Sequence, residues 1–106
     1  MTNEIQVFRA TIDPANVSRL LEIRPAALAQ AQAACPVLVR AELVRLDEQT
    51  WLDILTWSEP GGAAKLMAVA GELPLLGEMH SLLGEVLSVD TGELAHTTDL
   101  TEARQP

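Results

Sequence analysis

The segment 37–58, VLVRAELVRLDEQTWLDILTWS, constrains the fold more than any other part of the chain. Apolar and polar residues alternate on both sides of the turn sequence DEQT at residues 47–50. The two flanks are rich in Val, Leu, Ile and Trp, which are residue types that strands favour. The segment therefore predicts a β-hairpin, and the rest of the chain must supply strands beside it and helices against it.

The length of the turn decides which residues of the hairpin lie opposite each other. A four-residue loop at 47–50 pairs Leu46 with Trp51 and Arg40 with Trp57. Because side chains alternate between the faces of a sheet, one face then carries both indoles. This predicted tryptophan face comprises Arg40, Glu42, Val44, Leu46, Trp51, Asp53, Leu55 and Trp57. The opposite face is small and aliphatic, which suits contact with helices. A change of one residue in the loop would exchange the faces of the first strand.

Apolar periodicity and helix breakers place the other elements. The sequence predicts a strand at 5–12, a helix at 14–34, short helices at 58–70 and 74–83, and a strand at 86–96. Pro25 is expected to kink or split the first helix. This order predicts an α+β, ferredoxin-like fold, in which a four-stranded antiparallel sheet has its helices on one face. We expect one domain over 1–96 and a loosely held polar tail over 97–106.

The predicted tryptophan face has no cover within one chain if the helices lie on the aliphatic face. Two indoles of about 150–250 Å² each, with aliphatic neighbours, exceed the apolar patch that a soluble monomer exposes. A second copy is the simplest cover, so we expect a homodimer in which two sheets pack into an α/β barrel. Polar members of the face would then line any cavity between the sheets.

Charge and composition exclude several classes of partner. A net charge of −8 with only seven Lys and Arg residues argues against a nucleic acid or an anionic membrane. Cys35 is the only cysteine, so no internal disulfide forms and a reducing compartment is favoured. No Cys/His cluster has metal-ligand spacing, and neither an apolar leader nor a long apolar run is present. We therefore expect a cytoplasmic protein without a metal, and the abundance of Ala, Leu and Arg suggests a bacterial source.

Several motifs occur in an order that resembles one family. Pro36 follows the first predicted helix, LD and TWLD flank the hairpin turn, and Trp57 with Ser58 precedes the helical segment. This arrangement resembles the antibiotic biosynthesis monooxygenase-like domains of the dimeric α/β-barrel superfamily, over about residues 5–96. The resemblance implies an enzyme without a cofactor that oxidises an aromatic, phenolic or quinol small molecule with O₂. It also implies that Trp57 matches the family Trp that helps to hold the substrate and its carbanion-like form.

One position departs from the family pattern. The family has an Asn four residues before its Trp, whereas this chain has Asp53. An amide donates a hydrogen bond to an enolate oxygen, but an ionised carboxylate can only accept one. Either Asp53 acts as a base, or the chain does not perform the family chemistry. The haem-degrading branch is less similar, because Met67 stands where that branch has a haem-ligating His.

Seven side chains are candidates for a site: Asp53 and His80 as bases, Trp57 and Trp51 as walls for an aromatic ring, and Arg40, Glu42 and Arg9 as charged neighbours. A carboxylate in an apolar cavity has its pKa raised by desolvation, which suits Asp53 to proton transfer. Glu42 would orient that carboxylate. Arg40 would stabilise a developing oxyanion.

Each candidate also has an explanation that involves no catalysis. Arg40 with Glu42, or Arg9 with Asp53, would be ion pairs at a dimer interface that only fix its register. The two indoles would be interface packing, and His80 would be satisfied by a backbone carbonyl. Two other functions therefore remain open: a non-enzymatic dimeric module that binds a small molecule or a protein, and a cofactor-free isomerase or cyclase.

Overall fold

Four strands and four helices make up the part of the chain that the computed structural model describes, residues 2–103. The strands are β1 (Glu4–Thr11), β2 (Leu38–Arg45), β3 (Thr50–Trp57) and β4 (Val86–Glu93), and the helices are α1 (Val17–Ala34), α2 (Gly62–Val69), α3 (Pro74–Ser81) and α4 (Leu100–Ala103). The strand order is β2-β3-β1-β4, and each neighbouring pair is antiparallel. The predicted α+β, ferredoxin-like fold is confirmed.

The start of the first helical segment follows from its capping residue. Asp13 Oδ1 accepts a hydrogen bond from the backbone N–H of Ala15 at 2.9 Å, which opens a 3₁₀ turn over Pro14–Asn16. α1 follows and runs through Pro25 as one helix. Pro25 was expected either to kink or to split this helix, and the split does not occur. The buried stripe of α1 comprises Leu20, Ile23, Arg24, Ala27 and Ala31. Leu21, the residue after Leu20, lies off this stripe and is exposed.

The hairpin between β2 and β3 forms, but its loop is one residue shorter than predicted. Asp47 Oδ1 accepts hydrogen bonds from the backbone N–H of Gln49 at 2.9 Å and of Thr50 at 2.8 Å. The N–H of Leu46 donates to the carbonyl of Thr50 at 2.9 Å, so Thr50 already belongs to β3. An Asp at the start of a loop can close a turn in this way with its own side chain. The loop therefore spans only residues 47–49.

The shorter loop moves β2 by one residue relative to β3. Arg45 lies opposite Trp51, and Leu43 lies opposite Asp53. The predicted register is therefore wrong. Because a shift of one residue turns every side chain to the other face, three residues predicted beside the indoles lie on the opposite side of the sheet: Arg40, Glu42 and Val44.

The helices cover the face that carries the two indoles. Trp51 is 6% exposed and Trp57 is 1% exposed, and both belong to a core that includes residues of α1, α2 and α3. The prediction that helices lie on the aliphatic face and leave the indoles uncovered is wrong. Indoles are the largest apolar side chains, so covering them removes more apolar area from water than covering Leu52 and Ile54. We call this surface the helix-side face.

The opposite surface, which we call the open face, combines aliphatic and charged side chains. Strand pairing places on it Ile5, Val7 and Arg9 of β1, Arg40, Glu42 and Val44 of β2, Leu52 and Ile54 of β3, and Asp90 of β4. The dimer was predicted from an uncovered tryptophan face, and that reason no longer holds. A partner that covers this sheet would have to meet the open face instead.

The C-terminal part differs in detail from the prediction. β4 ends at Glu93, short of the predicted end at residue 96, and all its residues are exposed along one edge of the sheet. Part of the predicted tail forms α4, and residues 104–106 lie outside the described residues. Within residues 2–103, no helix has both the length and the apolar character that crossing a membrane requires.

Candidate functional site

A pocket of about 460 Å³ lies between the helix-side face of the sheet and the helices. We call it the inter-layer pocket. Most of its lining is apolar, and the side chains that carry polar atoms or aromatic rings are Gln6, Phe8, Trp51, Asp53, Trp57 and His80. Small-molecule sites typically have volumes of about 300–1,000 Å³ and a mostly apolar wall with a few polar groups. The pocket therefore has the size and the lining of a site for a small, largely apolar molecule.

Three buried polar atoms of this lining have no hydrogen-bond partner among the described residues. They are Gln6 Oε1, Trp51 Nε1 and Trp57 Nε1. A buried polar group without a partner costs about 1–3 kcal/mol. The two indole N–H groups can only donate, and the amide oxygen can only accept. The wall thus retains unused capacity for both kinds of hydrogen bond.

The carboxylate of the pocket is held by a buried arginine of α1. Arg24 Nη2 donates to Asp53 Oδ1 at 2.8 Å, and Nη1 donates to Oδ2 at 3.4 Å. The two side chains are only 9% and 12% exposed. Nη1 also lies 3.9 Å from the sulfur of Met79 in α3. A two-point contact of this kind fixes the plane of the carboxylate as well as its position. The pair therefore ties α1 to β3 and presents Asp53 in one orientation.

With Gln6 of β1, Arg24 is one of the polar site residues that the sequence interpretation missed. It follows Leu20 by four residues and precedes Ala27 by three and Ala31 by seven, so it lies on the buried stripe of α1. A charged residue on an apolar stripe is rarely fully buried unless it is paired. That spacing was a usable signal that Arg24 needs an internal partner. The partner, Asp53, is 29 residues away in sequence, and local patterns do not identify it.

Both indoles are packed by neighbours that restrict the position of the ring. A Cβ atom at Gly62, the first residue of α2, would lie 2.5 Å from Cε3 of Trp57. Only glycine allows this close approach of the helix to the ring. The guanidinium carbon of Arg45 lies 5.4 Å from the centroid of the Trp51 ring, which is within the range of a cation–π contact. The walls of the pocket are therefore held by neighbouring side chains and backbone.

The structure brings together four of the seven predicted site residues. Trp51, Asp53, Trp57 and His80 all line the inter-layer pocket. His80 is exposed on α3, which places it at the rim, whereas Asp53 is buried. Among the described residues, no group of three or more His, Cys, Asp and Glu side chains could hold a metal ion.

The three charged neighbours lie elsewhere. Arg9, Arg40 and Glu42 project from the open face and do not line the pocket. The predicted Arg9–Asp53 ion pair is wrong, because Asp53 is buried on the helix-side face and pairs with Arg24. Both errors follow from the placement of the helices over the wrong face and from the register of β2.

Comparisons by sequence give no relatives. No family model matches the chain, and no curated protein matches it in sequence. The fold, in contrast, is similar to that of several solved structures.

Three of these structures span almost the whole chain. A proposed antibiotic biosynthesis monooxygenase from Chloroflexus aurantiacus J-10-fl has a TM-score of 0.67 and 9% identity, over 92% of this chain and 97% of that one. SnoaB, a cofactor-independent oxygenase from Streptomyces nogalater, has a TM-score of 0.60 and 20% identity, over 94% and 98%. A dimeric ferredoxin-like protein from an uncultured marine organism has a TM-score of 0.63 and 11% identity, over 93% of each chain. The chain has the same ferredoxin-like fold as these three proteins.

Proposed function

We propose that this chain is a cofactor-independent monooxygenase that acts on an aromatic, phenolic or quinol small molecule in the inter-layer pocket. The observation that carries the proposal is a single buried carboxylate beside two indoles in a mostly apolar cavity of about 460 Å³. SnoaB, which is named as a cofactor-independent oxygenase, has a similar fold over most of both chains. We place the enzyme in a bacterial cytoplasm, which its single, buried cysteine and its composition favour.

The proposed reaction begins with removal of a proton from the bound substrate. Each oxygen of Asp53 accepts one hydrogen bond from Arg24 and keeps a lone pair for the substrate. Asp53 would take the proton inside the pocket, or His80 would take it at the rim and pass it to solvent. The cation of this site is Arg24, rather than Arg40, and it contacts Asp53 from behind the pocket wall.

The oxidation that follows needs only O₂ and the substrate. The substrate carbanion transfers electrons to O₂, and a C–O bond forms as a peroxide. Protonation and loss of water then convert an anthrone-like CH₂ group into a carbonyl group, so that one oxygen atom enters the product and the other leaves as water. Trp51 and Trp57 would hold the ring during these steps and exclude bulk water.

Oxygen uptake tests this function directly. The purified chain is supplied with 1,8-dihydroxyanthrone or a naphthohydroquinone, and O₂ consumption is followed above the uncatalysed rate. Replacement Asp53→Asn keeps the shape of the side chain but removes the base, so the rate should fall by about 10²- to 10⁴-fold. Glu48→Gln makes the same chemical change in the exposed hairpin loop and should leave the rate unchanged. An unaltered rate in the Asp53→Asn variant would remove Asp53 from the mechanism.

One observation favours a second candidate, a binding module without catalysis. Arg24 already donates a hydrogen bond to each oxygen of Asp53. A carboxylate held in this way can serve as a fixed hydrogen-bond acceptor for a ligand as readily as it can serve as a base. The chain contains two tryptophans and no tyrosine, so its intrinsic fluorescence reports on the pocket alone. Fluorescence quenching by a hydroxyanthraquinone without turnover would indicate the module. Conversion of a substrate without O₂ uptake would indicate the isomerase or cyclase.

We further propose that two copies pair through the open face. Its aliphatic centre is flanked by charges of both signs, so that Arg9 and Arg40 of one copy have Glu42 and Asp90 as complementary groups on the other. One structure of similar fold is named as a dimeric ferredoxin-like protein. Light scattering should give the mass of a dimer, and Ile54→Arg should give a monomer.

Leu21→Arg provides the matched control for the dimer, because Leu21 is exposed on α1, away from the open face. This variant should keep the mass of the wild-type chain. A wild-type mass of one chain at micromolar concentration would rule out the dimer.

A further inference from the structure

We propose that the Arg24–Asp53 pair makes the inter-layer pocket selective for a neutral ligand that donates a hydrogen bond to Asp53, and that Arg24 is the positioning residue of this selection. The inference rests on the proposed function only in requiring that a small aromatic molecule occupies the pocket. It concerns which chemical form of the molecule enters, and it holds whether or not turnover follows.

The first step is the geometry of the carboxylate. Asp53 lines the pocket, whereas Arg24 does not, and the guanidinium contacts the carboxylate at 2.8 and 3.4 Å. The cation therefore supports the carboxylate without being a direct contact of the ligand. An ionised carboxylate has no donor, and a two-point contact with Arg leaves lone pairs on both oxygens. The group that meets Asp53 must therefore be an O–H or an N–H.

The second step is the charge of the pocket. The charges of Arg24 and Asp53 cancel, and His80 at the rim is the other titratable residue of the lining. Arg45 stacks on Trp51 and does not line the pocket. An anionic ligand would lose its hydration in a mostly apolar cavity and would meet a carboxylate in place of a free cation. The net charge of −8 on the chain adds to this exclusion.

The third step is the remaining hydrogen-bond capacity. The unpaired atoms Trp51 Nε1, Trp57 Nε1 and Gln6 Oε1 are uncharged. The two indole N–H groups are donors, and the amide oxygen is an acceptor. None of them compensates a full charge. The polar groups of the pocket thus fit an un-ionised phenol or quinol better than its anion or a carboxylate.

Three ligands of nearly equal size test the selection in wild-type protein by titration calorimetry at about pH 8. The first, 2-naphthol, is neutral there because phenols have a pKa of about 10. The second, 2-methoxynaphthalene, is neutral but has no donor, and the third, 2-naphthoate, is an anion. We expect 2-naphthol to bind about 10- to 100-fold more tightly than either of the others, which is the value of one hydrogen bond to a charged group.

The variant Asp53→Asn distinguishes selection from a merely structural role. It leaves the positive charge of Arg24 uncompensated beside the pocket, so 2-naphthoate should bind more tightly and 2-naphthol about tenfold or more weakly. A pair that only supports the fold would weaken both ligands alike. Arg24→Lys keeps a cation behind the carboxylate and should retain the preference for 2-naphthol over its methyl ether. Arg24→Met should lose that preference.

Several outcomes would overturn the inference. They are equal affinity of the wild-type chain for 2-naphthol and its methyl ether, tighter binding of 2-naphthoate to wild type, or an unchanged ligand preference in Asp53→Asn. Should that variant not fold, the comparison of Arg24→Lys with Arg24→Met decides alone. If none of the three ligands binds, the inference is also wrong, whereas the oxygenase is judged separately by O₂ uptake with the larger anthrone.

Discussion

Removal of one partner from the buried Arg24–Asp53 pair should strongly destabilise the fold. The side chains are 9% and 12% exposed, and the shorter contact is 2.8 Å. Arg24→Met keeps a stem of similar length but leaves a carboxylate without its cation in an apolar layer. Removing one partner of a buried pair costs about 3–5 kcal/mol, because the remaining charge is uncompensated. Since small domains have a total stability of about 5–15 kcal/mol, this is a large fraction of it.

The double variant Arg24→Met/Asp53→Leu should recover most of this loss. An apolar pair of similar volume carries no desolvation penalty, so such replacements are often neutral or stabilising. Arg19→Met is the matched control on the same helix. Arg19 pairs with Glu78 of α3 at 2.8 Å, but the two side chains are 48% and 38% exposed. An exposed pair contributes about 0–1 kcal/mol, so this variant should unfold almost as the wild type does.

Urea denaturation followed by tryptophan fluorescence measures the free energy of unfolding of the wild type, the double variant, Arg19→Met and the single variants Arg24→Met and Asp53→Leu, because the only two tryptophans are buried in the core. Protein concentration is kept fixed, since dimerisation would make stability depend on it. The expected loss of unfolding free energy in Arg24→Met corresponds to a fall in Tm of about 15 °C or more. The reasoning is refuted if Arg24→Met costs no more than Arg19→Met. It is also refuted if the double variant loses as much unfolding free energy as Arg24→Met and Asp53→Leu lose together.

Two further predictions concern a close contact and the hairpin loop. Gly62→Ala should destabilise the fold by about 1–3 kcal/mol and weaken ligand binding, because its Cβ would lie 2.5 Å from the Trp57 ring. In the control Gly77→Ala in α3, the new Cβ meets nothing within 4 Å and should stabilise the fold by about 0.5–1 kcal/mol. The same urea titration measures both variants. Equal changes in unfolding free energy would contradict the close packing of Gly62 against Trp57. Hydrogen bonds from the backbone N–H of Gln49 and then of Thr50 lower the pKa of Asp47 below 3.8. The stability that Asp47 contributes is therefore complete above pH 3.8 and is lost as the pH falls through its lowered pKa. Hydrogen exchange of the Thr50 amide should show this as a loss of protection at low pH. A pKa of Asp47 at or above 3.8, measured by NMR, would contradict the role of these hydrogen bonds.

The order of strands and helices could be predicted from the sequence because local patterns of residues define each element. Alternation of apolar residues identified the strands, and apolar periodicity with helix breakers identified the helices. The four-stranded antiparallel sheet follows from that order by general rules of packing. Both elements of the hairpin were therefore predicted correctly, although their register was not.

The predicted register of the hairpin was wrong because of the contacts of one side chain, that of Asp47. The alternation of apolar residues alone does not distinguish a loop of three residues from one of four. The choice depends on the two hydrogen bonds that Asp47 Oδ1 accepts from backbone N–H groups. Asp at the first loop position is typical of such a turn, and this was a signal that the sequence contained.

The assignment of faces failed because both faces of β3 contain apolar residues. The face opposite the indoles was assigned to the helices because it is small and aliphatic, whereas the indole face also carries Asp53, and charged residues are rarely buried without a partner. Its partner is Arg24 on a distant helix, so the carboxylate could be buried after all. The prediction that Trp51, Asp53 and Trp57 share one face was nevertheless independent of the register of β2, because all three belong to one strand.

The cost of the buried pair links stability to the proposed function. If an apolar pair at positions 24 and 53 would support the fold equally well, the packing of this layer does not itself require the two charges. What the charges add is a fixed hydrogen-bond acceptor on the wall of an otherwise mostly apolar pocket. Arg24→Met/Asp53→Leu should therefore retain a stability close to that of the wild type and lose both the preference for 2-naphthol and the oxygen uptake. A double variant that keeps that preference would show that the acceptor of the ligand lies elsewhere.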